Sequence, residues 1–304
     1  MCATLKYAAL YGFVVSLPLA LASPILATAI INRQDAAVSA NDWDPILIGE
    51  KNAQCSDLAV IFARGTFDKG NLGPWVGGPF RDALLKKSSD VKIAVQGVSP
   101  DDYPADLAGY TEEGGSDSCA RGLGTAVQTY ASRCPDSKIA IWGWSQGALC
   151  AHKAFGELGD AASNVIALGV FGDPISAWRD TVDYPAIPKG TALLSYCETL
   201  TPDPLCTNPA EDFPRGPVAF IERLKAIWRE VDAVGMNAAQ KKALAGLLIE
   251  LPSQAMRQLD NLATDILNGH IRRWMLTPQH FWYGIDGKVE TAADDLLSLY
   301  RGQR

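Results

Sequence analysis

The chain has 304 residues, 48% of them hydrophobic, with 27 basic and 34 acidic residues and a net charge of −7. That length and apolar content supply a core for one large domain or two small ones, and nothing in the composition points to disorder. An acidic balance without a basic stripe leaves no electrostatic footprint for nucleic acid.

Met1 to Ala22 carries a lone Lys6, an apolar run from Tyr7 to Leu21 and the small-residue ending Ala20-Leu21-Ala22, which is the layout of a secretory signal peptide. A membrane anchor is the alternative, but Pro18 and Pro24 interrupt the run. The expectation is a secreted, extracellular chain, with 23–45 as a pro-segment or N-terminal tail and one domain over 46–304. Six cysteines follow the leader, and an even number in a secreted context favours disulfides over metal binding. The three histidines have no zinc-ligand spacing, so no metal is expected. No Asn-x-Ser/Thr acceptor occurs, so N-glycans are not expected.

In chain order, five apolar runs read as strands: Leu58 to Phe62, Val91 to Val98, Lys138 to Trp142, Val165 to Phe171 and Thr191 to Tyr196. Helical stretches fall between them at Pro79 to Lys86, Gly122 to Arg133 and Gln146 to Gly156, and Ala292 to Tyr300 closes the chain. Near-continuous apolar strands separated by helices predict a three-layer α/β sandwich with a central five-stranded parallel sheet. Ligand sites in such folds lie at the carboxyl ends of the strands, where Thr66 and Ser145 fall.

The α/β rhythm breaks from Asn208 to Met275, where the pattern predicts a helical insertion (208–275) of three amphipathic helices. Pro217 to Val234 repeats Phe220, Leu224, Ile227 and Val231; Asn237 is placed to cap a second helix ended by Pro252; Ser253 is placed to cap a third that stops at Asn268-Gly269. A lid and an inert buttress are both open readings of this segment.

The chemistry centres on Gly143-Trp144-Ser145-Gln146-Gly147, between an apolar strand and a helix. Such a strand–turn–helix strains the serine backbone and lifts its hydroxyl clear, and N–H groups at the helix start can hold an oxyanion. A serine needs a base, and the base needs an orienting acid. His152 lies inside the helix after Ser145 and reads as a packed or surface residue. His270 follows a helix stop and reads as a capping cation. His280, in Pro278-Gln279-His280-Phe281-Trp282-Tyr283, is the expected base. Asp203, between Cys197 and Cys206 just after the last strand, is the expected acid; its competitor Asp173, flanked by Gly172 and Pro174, reads as a turn former. The order Ser145, Asp203, His280 is that of α/β-hydrolases.

These residues resemble the cutinase family, with its relatives the acetylxylan esterases and cutinase-like lipases. The resemblance covers roughly 55–206 and 280–300. It rests on Ala63-Arg64-Gly65-Thr66 with Gly70-Asn71-Leu72-Gly73, on Cys134-Pro135-Asp136 ahead of the serine motif, on Phe171-Gly172-Asp173-Pro174, on Asp203-Pro204-Leu205-Cys206, and on His280 followed by Tyr283. It implies Ser145 as nucleophile, Asp203 as acid, His280 as base, and an oxyanion hole from the N–H groups of Thr66 and Gln146. It also implies disulfides Cys55–Cys134 and Cys197–Cys206, leaving Cys119 and Cys150 as a third bridge or as two buried thiols. Trp144 stands where the family usually has Tyr, and Phe67-Asp68 where a small residue and Glu are common. The insertion between acid and base is a larger departure.

The implied function is a secreted serine carboxylic-ester hydrolase working through an acyl-enzyme without a cofactor. Its expected partners are an ester substrate (an aliphatic polyester, a lipid or an acylated polysaccharide) and a lipid or polymer surface, with the chain a monomer. Trp75, Trp144, Phe281 and Trp282 are either the lining of an aliphatic slot or core. The alternatives are an acetylxylan esterase and an inactive esterase-like secreted binding protein.

Overall fold

The computed structural model describes residues 38–198, 203–207 and 236–303. The leader, most of the tail and the first expected insertion helix (217–234) lie outside them. In chain order the described elements are α1 (Asp44–Ile48), β1 (Leu58–Ala63), α2 (Gly78–Lys87), β2 (Ile93–Gly97), α3 (Leu107–Thr111), α4 (Asp117–Arg133), β3 (Lys138–Trp144), α5 (Gln146–Ala154), β4 (Val165–Phe171), β5 (Ala192–Tyr196), α6 (Ala238–Arg257), α7 (Leu259–Leu267) and α8 (Lys288–Arg301).

All five strands run parallel in the order β2-β1-β3-β4-β5. Alternate residues of each strand face opposite layers, as the pleat requires. Leu58, Val60 and Phe62 of β1 join Trp142 and Phe171 against α2 and α8. Ala59, Ile61 and Ala63 face Leu123 and Val127 of α4 and Ala148 and Ala151 of α5. Both faces are therefore covered, which is why β1, β3 and β4 read as unbroken apolar runs.

Two expectations change. The stretch 38–45 belongs to the fold rather than to a tail: Trp43 is fully buried and its indole donates to the Ala94 carbonyl, and Asn41 bridges to Gln96 beside β2. Nor does Pro252 end the second insertion helix. Asn237 does cap α6, in a reciprocal capping box with Gln240, but the helix runs through Pro252 to Arg257, and Ser253 lies inside it. A proline removes one helix hydrogen bond. Here α6 is anchored on both sides of it, by buried Ala243, Leu244 and Leu247 before and by Gln254 after.

Among the described residues three disulfides are present: Cys55–Cys134, Cys197–Cys206, and Cys119–Cys150 joining α4 to α5. The two leftover cysteines of the sequence reading are thus bridged.

Candidate active site

Ser145, between the end of β3 and the start of α5, has φ +58° and ψ −124°, a strained conformation for a residue with a side chain. What holds it there is close packing on either side. A Cβ on Gly143 would stand 2.2 Å from the Gly147 carbonyl oxygen, and one on Gly147 would stand 2.0 Å from that of Ala63. Only glycine fits either position, so β3, the turn and α5 press together and against the end of β1. The Ser145 N–H is satisfied by the Phe171 carbonyl of β4 at 3.1 Å.

His280 sits on the short 3-10 turn Pro278–Phe281 and is buried above the ends of β3 and β4. Its ring lies against Gly172, whose φ is +52° and where a Cβ would come within 2.8 Å of the imidazole. Trp144 stacks on the ring with centroids 5.4 Å apart, and its Nε1 donates to the His280 carbonyl at 3.0 Å. Nδ1 meets Asp203 Oδ2 at 2.7 Å; Nε2 is buried and has no hydrogen-bond partner among the described residues. The elbow, Gly172 and the imidazole are thus brought together at adjoining strand ends. No hydrogen bond joins the imidazole to the Ser145 hydroxyl in this structure.

Asp203 is fully buried in the loop closed by the Cys197–Cys206 bridge. Besides the imidazole, Oδ2 accepts the Tyr283 hydroxyl at 2.7 Å, and Oδ1 accepts the Leu205 N–H at 3.1 Å. Burial alone would raise this carboxyl. The charge and hydrogen bond of His280, with the bonds from Tyr283 and Leu205, outweigh it and hold Asp203 below the usual carboxylate range. A carboxylate kept ionised beside Nδ1 fixes the tautomer that leaves Nε2 free to take a proton.

The competitors have other roles. His152 is buried and its Nε2 pairs with Asp173 at 2.9 Å, while Asp173 caps the following turn by accepting the Ile175 N–H. His270 lies 2.8 Å from Asp180 and 3.7 Å from Asp265, the two carboxylates that Arg273 also pairs with. Trp75, Trp144 and Phe281 are buried and packed on one another, so they serve as core.

Thr66, on the loop after β1, and Gln146, the first residue of α5, are neighbours: the Thr66 hydroxyl donates to Gln146 Oε1 at 3.3 Å. The Gln146 side chain also takes the Tyr103 hydroxyl at 3.0 Å and gives Nε2–H to the Asp106 carbonyl at 3.1 Å. Tyr103 and Asp106 were not singled out from sequence, because their partner lies about forty residues away. Tyr283 carried no assigned role; its place three residues after His280, one 3-10 turn on, is the signal that could have found it.

Helix α6 spans the loops beside this site. Lys69 pairs with Glu250 at 2.7 Å, the Leu107 N–H bonds to Gln254 at 2.9 Å, and Thr111 and Glu112 both bond to Gln258, the residue that ends α6. Met236, Ala243, Leu244 and Leu247 pack with Leu72, Trp75, Leu107 and Tyr110. Ser145 is left 7% exposed.

A family model described as cutinase matches residues 54–215. Among curated relatives, "Cutinase 4" of Emericella nidulans is 38% identical over 160 residues, which are 52% of this chain and 64% of that protein. The cutinase of Botryotinia fuckeliana is 40% identical over 121 residues, 40% of this chain and 58% of its own. The chain thus spans less than two thirds of either relative. Among solved structures, a Trichoderma reesei cutinase bound to a phosphonate inhibitor is 22% identical with a TM-score of 0.40, over 75% of this chain and 91% of that one.

Proposed function

The chain belongs to the cutinase family, and from that premise we infer that it is a secreted serine carboxylic-ester hydrolase acting on aliphatic, cutin-like or lipid esters through Ser145, His280 and Asp203. The observation that carries this reading is the buried Asp203–His280 pair at 2.7 Å beside a serine held at positive φ. Ser145 attacks the ester carbonyl as His280 Nε2 takes its proton. Asp203 stabilises the imidazolium, and the N–H groups of Thr66 and Gln146 receive the oxyanion. The imidazolium then protonates the leaving alcohol, and water, deprotonated by the same imidazole, releases the acid.

Helix α6 is read as a roof over this site. Its bonds to both flanking loops, and the near-complete burial of Ser145, support that reading. A bulky ester reaches the serine only when α6 or the loops under it shift. The signal-like pattern of Met1 to Ala22 supports the secreted reading. Among the described residues no helix is long and apolar enough to cross a membrane.

The test is hydrolysis of p-nitrophenyl esters from acetate to palmitate by the mature protein, with Ser145→Ala as control. Activity extending to butyrate and beyond, lost in the variant, is expected. Activity confined to acetate would favour a carbohydrate deacetylase, and none at any length a binding protein.

A further inference from the structure

Tyr103 belongs to no element and carries no charge, yet it is fully buried beside the proposed oxyanion donors. Its hydroxyl hydrogen faces two acceptors: the Arg64 carbonyl at 2.8 Å and Gln146 Oε1 at 3.0 Å. Arg64 lies two residues before Thr66, and Gln146 directly follows Ser145. One hydroxyl therefore joins the two chain segments that supply the two N–H groups.

The surroundings leave this hydroxyl no other role and little freedom. Arg64 grips the Tyr103 backbone, donating from its guanidinium to the Tyr103 carbonyl at 2.7 Å and to the Asp68 carbonyl at 3.0 Å, with its charge 4.9 Å from the ring centre. Burial pushes the phenol far above its usual range, so it stays a protonated donor. On the other side the Gln146 amide cannot turn over. Its Nε2 must face the Asp106 carbonyl, which directs Oε1 at the hydroxyls of Tyr103 and Thr66.

We propose that Tyr103 is a positioning residue for the oxyanion hole: its hydroxyl sets the spacing between the Thr66 and Gln146 N–H groups through Arg64 and the Gln146 side chain. The inference rests on the esterase reading above. Donors aimed at a developing charge act only if held at the right separation, and a small misplacement is costly. Tyr103 is fully buried and presents no surface to a substrate, so on this proposal its removal acts on the transition state and not on ground-state binding.

The experiment compares wild type, Tyr103→Phe, Gln146→Met and the double variant on matched butyrate oxoesters and thionoesters, with Ser145→Ala as control. A thionoester puts sulfur in the hole, where N–H donors act weakly, so the ratio of oxoester to thionoester rates reads the hole itself. Tyr103→Phe is expected to lower kcat on the oxoester between about 10- and 100-fold with KM unchanged, and to shrink that ratio. Gln146→Met should do the same, and the double variant should lose no more than the worse single one. If Tyr103→Phe does not fold, Gln146→Met alone reads the same ratio. An unchanged oxoester kcat, or a fall equal on both esters, overturns the proposal while leaving the esterase reading intact. A wild-type chain that hydrolyses neither ester removes both.

Discussion

The indole of Trp144 hands its Nε1–H to the carbonyl oxygen of His280 at 3.0 Å while stacking on the imidazole, so the residue before Ser145 also fixes the backbone of the proposed base. Phenylalanine at 144 would keep ring packing and strand that buried carbonyl. Trp144→Phe should cost about 1–3 kcal/mol of stability. It should also lower kcat more than it raises KM. Urea unfolding with steady-state kinetics checks both.

Buried Asp68 gives the stability a pH dependence. Its side chain is tightly enclosed, so that a Cβ on Gly73 would strike one carboxyl oxygen at 1.8 Å. Burial raises this carboxyl well above the usual range, and the charge of Arg64, with the backbone N–H and charge of Lys69, only partly opposes it. The folded chain therefore keeps a proton that the unfolded chain releases, and stability falls as pH rises from about 4 toward the raised value. Asp203 works in the other direction: its contribution is present above about pH 4 and is lost as pH falls through its lowered value. Asp68→Asn cannot ionise and should flatten the decline on the alkaline side. Denaturation midpoints from pH 4 to 8 should converge with the parent at the acid end and exceed it at the other.

Stability and catalysis should separate at the α4–α5 bridge. Cys119–Cys150 closes a loop with a sequence separation of 31 behind the helix that follows Ser145. Replacing both cysteines with serine should cost about 3–4 kcal/mol on the chain-entropy estimate. At 25 °C the kcat of the folded fraction should stay within about twofold of the parent, as both cysteines belong to the core on one side of the sheet and Phe281 and Tyr283, which flank the imidazole, to the core on the other. Calorimetry and kinetics on one preparation decide this.

The roof reading of α6 concerns access. Gln254 and Gln258 tie α6 and its end to the Leu107–Glu112 segment. Gln254→Ala with Gln258→Ala should raise the palmitate rate relative to the acetate rate, as acetate needs less opening. Equal changes on both esters would make α6 a buttress. A palmitate-to-acetate ratio from the same enzyme stock is the measurement.

The sheet was legible in the chain because the inner strands β1, β3 and β4 are buried on both faces and read as apolar runs, while the edge strands β2 and β5 are less buried but still largely apolar; observed ends differ from the expected ones by at most two residues. The Asp203–His280 contact was legible because the chain offers only three histidines, and the short cysteine loop holds two acids, Glu198 and Asp203, of which the family resemblance singles out Asp203. Residues 38–45 were missed because they add a single bridge and one buried tryptophan rather than a periodic pattern. Pro252 misled because local propensity says stop, whereas anchors on both sides carry α6 past it. Tyr103 and the roof contacts depend on partners about 40 to 180 residues away, and no spacing rule reaches that far.

The claim that Ser145, His280 and Asp203 act together is tested most directly by labelling the mature protein with a fluorophosphonate and locating the adduct by mass spectrometry. The account predicts one adduct per chain, on Ser145, absent in Ser145→Ala. In Asp203→Asn, where the imidazole loses its tautomer, labelling should be slower by about 10⁴-fold. No adduct on the folded chain, an adduct on another residue, or equal labelling of Asp203→Asn would contradict it.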